Sequence, residues 1–223
     1  MPSEIFLLPP FFEFGATFLW TVSGALLGAR RGYDIIGILI LALVSSTGGG
    51  LLRDGLFLQQ GPPVLVRSPV YLGIVLLGTL VVVLFGHRVQ RIKAFEPLVG
   101  LVDALGLGAY AVVGMNRAEA AGLSLLGVAL VGMVNAVGGG LLRSVLLARE
   151  PRLFRPGTLE AAAALIGCGL FLAVTRLTDV AQTSAAWLTI VVVFIIRALA
   201  VRYKVSTKAL RDFEADWQED RPI

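Results

Sequence analysis

Apolar runs about twenty residues long, separated by short polar stretches, recur along almost the whole chain. The stretch 64–86 contains a single charge, Arg67, and 181–196 contains none. A hydrocarbon core about 30 Å thick is crossed by roughly 20 predominantly apolar helical residues. Measured against that length, the pattern predicts seven spans, at roughly 11–29, 34–58, 68–86, 98–116, 121–147, 158–176 and 182–203. The fold class is therefore an all-α integral membrane protein with seven transmembrane helices.

Composition agrees with that reading. Of 223 residues, 57% are hydrophobic and only 15% are charged, too few to cover a soluble domain of this size. The mean hydropathy is +0.84. The 26 glycines suit membrane helices, in which small residues let backbones approach closely. The start of the chain, 1–10, lacks a basic region before its apolar run, so the first span is expected to be retained rather than cleaved. Cys168 is the single cysteine and falls inside a span, where a small buried hydrophobe is expected and no disulfide can form. His87, the single histidine, has no second histidine or cysteine beside which to hold a metal and reads as a membrane-edge residue.

The basic residues set an orientation. The loops after spans one, three and five hold Arg30 and Arg31, then Arg88, Arg91 and Lys93, then Arg149, Arg152 and Arg155. The tail adds Arg202, Lys204, Lys208 and Arg211, whereas the remaining loops hold only Arg67, Arg117 and Arg176. The positive-inside rule therefore places the N-terminus outside and the C-terminus in the cytoplasm. The formal charge of +4 follows from this topology and implies no nucleic-acid partner. Contact of the basic tail with membrane lipid is a further expectation.

An internal repeat organises the chain. Gly48-Gly49-Gly50-Leu51-Leu52-Arg53 recurs as Gly138-Gly139-Gly140-Leu141-Leu142-Arg143, an offset of 90 positions. At the same offset Glu13 falls on Asp103, Trp20 on Tyr110, Gly24 on Gly114, Gly32 on Gly122 and Gly37 on Gly127. Each repeat carries three spans, so the second begins on the opposite side of the membrane. The two halves are then related by a pseudo-two-fold axis in the membrane plane, an arrangement frequent among transport proteins. The expected organisation is a first repeat over 1–96, a second over 97–180, and a seventh helix with cytoplasmic tail over 181–223, the last helix serving as scaffold.

The glycine triplets sit near the centres of spans two and five. Each glycine weakens a helix by about 1 kcal/mol relative to alanine, so three in a row favour a broken or strongly kinked segment at 48–50 and 138–140. Backbone freed in this way must be buried in protein or face a watery cavity. Close packing at a helix crossing is the competing explanation, and the two coexist if spans two and five cross at their glycines. An arginine follows each triplet, and a charge near the bilayer centre costs about 2.5–3.5 kcal/mol on insertion scales. Arg53 and Arg143 therefore need partners. At 1.5 Å per residue Arg53 lies roughly 10 Å beyond the midplane, at a depth similar to Glu13. The symmetry predicts the pairs Glu13–Arg53 and Asp103–Arg143, with Asp54 competing for Arg53 and replaced in the second repeat by Ser144. Such pairs either tie helices together or mark an ion or substrate path, the commoner role of intramembrane charges. Ser45, Ser46 and Thr47 precede the first triplet and Asn135 the second; their oxygens either replace part of a cation's hydration shell or bond their own helix.

The paired Gly-Gly-Gly-x-x-Arg segments, the two three-span repeats and the extra C-terminal helix resemble the prokaryotic TRIC family of trimeric intracellular cation channels. The resemblance covers 11–202, and its fullest motif is 48–54. It implies a homotrimer in the prokaryotic inner membrane, each subunit with its own pore lined by the glycine segments of spans two and five. It also implies conduction of monovalent cations, chiefly K+, with no cofactor beyond the permeant K+ or Na+. The Lys-Glu-Val segment by which animal members engage an inositol lipid is absent, so that lipid is not carried across. A secondary transporter of a small solute such as glycine is the alternative that the same architecture allows. No Ser-His-Asp set, metal-ligand spacing or phosphate-binding glycine loop supports an enzyme.

Overall fold

The computed structural model of the protein describes residues 9–90, 95–154 and 159–203. Arg91, Lys93, Arg155, Lys204, Lys208 and Arg211, which enter the orientation argument, lie outside the described residues, as do the first eight residues and the side chains of His87 and Arg88. All regular structure among the described residues is helical. The elements are α1 (Pro10–Arg30), α2 (Ile35–Leu52), α3 (Val64–Arg67), α4 (Pro69–Gln90), α5 (Phe95–Ala120), α6 (Leu125–Leu146), α7 (Glu160–Leu177) and α8 (Gln182–Tyr203). Seven of them are long and apolar enough to cross a membrane; α3 is a single turn. The seven correspond one to one with the expected spans, so the protein is a seven-helix membrane protein.

The repeat is visible in how the helices begin and end. At the end of α1, Gly32 adopts φ +74° and the Tyr33 amide bonds back to the Gly28 carbonyl at 3.2 Å. At the end of α5, Gly122 adopts φ +75° and the Leu123 amide bonds back to Ala118 at 3.1 Å. This is the left-handed cap for which glycine is suited. Two residues on, Asp34 caps α2 by accepting from the Gly37 amide at 2.7 Å, and Ser124 caps α6 by accepting from Gly127 at 3.3 Å. Both turns are too short for anything but antiparallel neighbours. With three crossings in each half, the second half runs inverted.

α1 and α5 form the centre of the bundle. They pack on each other, α1 also against α2 and α4, and α5 against α6, α7 and α8. α2 and α6 cross at the glycine triplets. A Cβ on Gly49 would stand 2.0 Å from the Asn135 carbonyl oxygen, and one on Gly139 would stand 2.1 Å from that of Ser45. Asn135 and Ser45 are themselves equivalent in the repeat, so the crossing is symmetric about the pseudo-two-fold axis.

Of the broken or strongly kinked segment expected at each triplet, this geometry corrects the break. α2 is α-helical throughout Ile35–Leu52 and α6 throughout Leu125–Leu146, so Gly48, Gly49, Gly50, Gly138, Gly139 and Gly140 lie in uninterrupted helix. The amide of Arg53 still reaches the carbonyls of Gly49 and Gly50. The missing side chains serve contact between the two helices, and that contact offsets the weak helix propensity. The irregularity lies one step later and in the first half alone: Arg53–Leu58 is a π-helix that ends at Gln59 with φ +48°. The Gln59 amide bonds to the Asp54 carbonyl at 2.9 Å, five residues back. Cys168 is buried against α6, as its position inside a span leads one to expect.

Candidate functional site

Two clefts open toward opposite ends of the bundle, and their linings are related by the repeat. The first contains Glu13, Thr17, Thr47, Gly50, Arg53 and Tyr110 and has a cavity volume of about 20 Å³, room for roughly one water. The second contains Asp103, Leu107, Val137, Gly140, Arg143 and Trp20 and is narrower, with a cavity volume of about 10 Å³. Each of these six residues of the first has its 90-offset counterpart in the second. Helix direction puts them at opposite ends, because α1 begins and α2 ends on one face whereas α6 ends on the other. Between them stand Trp20 and Tyr110, an equivalent pair that meets edge to face with ring centroids 5.5 Å apart.

In the first cleft, the buried guanidinium of Arg53 is only 1% exposed. It is held by the neighbouring Asp54, whose Oδ1 accepts from Nε at 2.7 Å. Glu13 is farther away, 3.8 Å from Arg53 Nη1, an ion pair without a hydrogen bond. The short partner of Glu13 is Arg117 near the end of α5, whose Nη2 donates to Oε2 at 2.8 Å. A wider opening of about 110 Å³, lined by Asp54, Gln60, Arg67 and Arg117 among others, continues this cleft outward. At its inner end the Tyr110 hydroxyl donates to the Ser46 carbonyl and lies 3.0 Å from the Thr17 hydroxyl.

The second cleft is more tightly bonded. Arg143 donates from Nη2 to Asp103 Oδ2 at 2.8 Å and from Nη1 to Oδ1 at 3.3 Å. The Ser23 hydroxyl accepts from Arg143 Nη1 at 2.8 Å and donates to Asp103 Oδ1 at 2.7 Å, so it bridges both charges. Arg143 also lies 5.9 Å from the centroid of the Trp20 ring, within cation–π range. Glu160 on α7 and Arg197 on α8 complete the lining and pair at 3.1 Å. Through Arg197, α8 reaches the rim of the second cleft.

Of the residues singled out in the sequence, Asp103 and Arg143 pair as expected. Glu13 and Arg53 come together more loosely, with Asp54 the nearer partner of Arg53. Ser45, Ser46 and Thr47 bond the carbonyls of Leu41, Ala42 and Leu43 at 2.6, 2.9 and 2.7 Å. Of the three, Ser46 and Thr47 line the first cleft, while Ser45 packs against Gly24. Asn135 donates from its side chain to the Tyr110 carbonyl at 2.7 Å and keeps the α5–α6 contact close. Ser144 bonds back to the Gly140 carbonyl at 2.8 Å, as a helical serine does, and takes none of the role of Asp54. The sequence placed Arg117 only in a loop and did not single out Ser23, Glu160 or Arg197: the repeat equivalents of Arg117, Ser23 and Glu160 are Leu27, Val113 and Val70, and Arg197 lies outside the repeat. For Arg117 a signal existed, a charge within one helical turn of the end of an apolar run.

Comparison with known proteins agrees with the repeat and the fold. The family model described as "Glycine transporter" matches the chain twice, over residues 11–87 and 100–176. The chain is 40% identical over 151 residues to a UPF0126 membrane protein of Deinococcus radiodurans, covering 67% of this chain and 68% of that one. It is 30% identical over 197 residues to the UPF0126 inner membrane protein YadS of Escherichia coli, covering 87% and 93%. Among solved structures it is similar to the TRIC trimeric intracellular cation channel orthologue from Rhodobacter sphaeroides, with TM-score 0.80, 28% identity, and 87% and 97% of the two chains covered. A second TRIC cation channel structure aligns with TM-score 0.77 at 28% identity over 91% and 97%. Two glycine-transporter domains in one chain, set on the fold of those channels, make this protein a member of the TRIC family.

Proposed function

We propose that the protein is a cation channel conducting chiefly K+, with one path per subunit between the two repeats and three subunits per assembly. The observation that carries this reading is the pair of symmetry-related clefts, each lined by carboxylate and arginine, with Trp20 and Tyr110 packed between them. Buried charges on both sides of the membrane centre are the pattern expected of an ion path. Carboxylates of Glu13, Asp54 and Asp103, with the Ser46 and Thr47 oxygens, supply the hard ligands that an alkali cation needs. Interrupted helices are not required, because side chains rather than freed backbone line the clefts. The path is closed between the two rings and narrowed by the guanidinium groups, so opening demands that Arg53 swing aside. Likeness to proteins described as cation channels over nearly the whole chain supports the same reading. By the positive-inside rule the first cleft opens outward and the tail lies in the cytoplasm of the host's inner membrane.

A carrier of a small zwitterion is the second reading, favoured by one feature. The first cleft presents a buried guanidinium nitrogen of Arg53 without a hydrogen-bond acceptor, beside two carboxylates, a set that would hold both ends of an amino acid such as glycine. Purified protein in planar bilayers under a KCl gradient separates the two. Stepwise currents reversing at the K+ potential are expected. Substrate counterflow in vesicles with no such steps would replace the channel by the carrier.

A further inference from the structure

Two arginines flank one carboxylate in the first cleft, and only one is bonded to it. Arg117 Nη2 reaches Glu13 Oε2 at 2.8 Å, whereas Arg53 Nη1 stops 3.8 Å from Oε1. That Arg53 nitrogen is buried and has no hydrogen-bond partner. A buried donor left unmade is unfavourable, and a charge-assisted bond to Glu13 lies little more than 1 Å of movement away. Glu13 is held back toward its other partners, Arg117 through Oε2 and the Tyr71 hydroxyl. The second cleft has no such contest: Leu27 stands where symmetry would place an arginine equivalent to Arg117, and Arg143 is bonded to Asp103 through both terminal nitrogens.

We infer that Arg117 is a positioning residue that competes with Arg53 for Glu13 and so keeps Arg53 from being latched across the first cleft. Arg53 then depends on Asp54, its neighbour in the chain, which travels with it on the π-helix. The unit is neutral and leaves Glu13 neutralised behind it. Such a unit can move without stranding a charge in the membrane. Arg117 is suited to the part by its place, with its side chain 38% exposed where the cleft widens. The simpler role, a positive charge that repels cations from the mouth, makes the opposite prediction.

The electrical test rests on the channel reading; a second test does not. In planar bilayers with symmetrical KCl, Arg117→Gln is expected to lower open probability about tenfold or more, the effect of one charge-assisted hydrogen bond gained by the closed state. Unitary current stays the same. Glu13→Gln in the same chain restores opening, and Arg117→Lys, still able to reach Glu13, stays near the parent protein. Unchanged open probability, a larger unitary current, or an equal loss in the Glu13→Gln background would overturn the inference. If the parent protein passes no cation current, the channel reading falls and the inference is read from stability. Unfolding temperatures of Glu13→Gln, Arg53→Gln and the double variant give the Glu13–Arg53 coupling with Arg117 present and with Arg117→Gln. Coupling must grow when Arg117 is lost, and equal coupling in both backgrounds sinks the idea. Arg117→Met, which keeps the aliphatic stem, is read in the same way if the glutamine variant does not fold.

Discussion

Substituting Gly49 by alanine tests the account of the helix crossing, because its neighbour Gly50 is a built-in control. The added Cβ at position 49 would lie 2.0 Å from the Asn135 carbonyl oxygen and 3.0 Å from its carbon. Real Cβ atoms essentially never come within 3.0 Å of another heavy atom, so α2 and α6 must part locally by about 1 Å. The obstacle is backbone, which cannot rotate away. Overpacking of this kind costs about 1–3 kcal/mol, and the rigid obstacle places it toward the upper end. Alanine offsets about 1 kcal/mol of that by its better helix propensity. The net loss of about 1–2 kcal/mol corresponds to a fall of roughly 2–8 °C in unfolding temperature for a chain of this size. At Gly50 the same methyl meets only Arg53 Nη2, at 3.7 Å, so propensity wins and the protein is expected to gain up to about 1 kcal/mol. Gly139 and Gly140 repeat the contrast in the second half, with Ser45 oxygen at 2.1 Å against a Trp20 ring carbon at 3.7 Å. The assay is thermal unfolding of the purified protein in one detergent. A Gly49→Ala variant as stable as the parent, or Gly50→Ala as damaging as Gly49→Ala, would refute the crossing and revive a flexible or interrupted helix.

Asp103→Asn removes the carboxylate that both terminal nitrogens of the buried Arg143 engage, and a destabilisation of about 3–5 kcal/mol is expected; the Arg143→Met, Asp103→Leu double variant should recover much of it. Arg53→Ala is expected to raise open probability in single-channel recording, and unchanged gating would remove Arg53 from the path. Tyr110→Phe deletes the hydroxyl that bonds the Ser46 carbonyl beside Thr17, so a loss of about 1–2 kcal/mol is expected in thermal unfolding, with the Trp20 contact kept. A C-terminal reporter active only in the cytoplasm should be active in this protein; activity of its periplasmic counterpart instead would reverse the orientation drawn from the basic loops.

Much of the fold was legible because membrane helices announce themselves one at a time. Each buries its own backbone hydrogen bonds and must present apolar residues over a fixed length, so length and polarity along the chain suffice. The inverted repeat was equally plain, since the identity around Gly48 and Gly138 needs no structure to be seen. From depth and symmetry alone, Asp103 could be assigned to Arg143. The same reasoning gave Glu13 to Arg53 and missed that Arg117, arriving from another helix, holds Glu13 more closely.

Local sequence determined which segments are helical, how they alternate across the bilayer, and that two halves are inverted copies, because these depend on residue type and spacing. Tertiary structure decided what the glycines are for. Three small residues in a helix weaken it, but whether it opens depends on what lies against them, and here another helix fills the space at backbone distance. It also decided which charges meet. An ion pair is set by the last few ångströms of approach between side chains from helices far apart in the chain, and no spacing along one strand of sequence carries that distance.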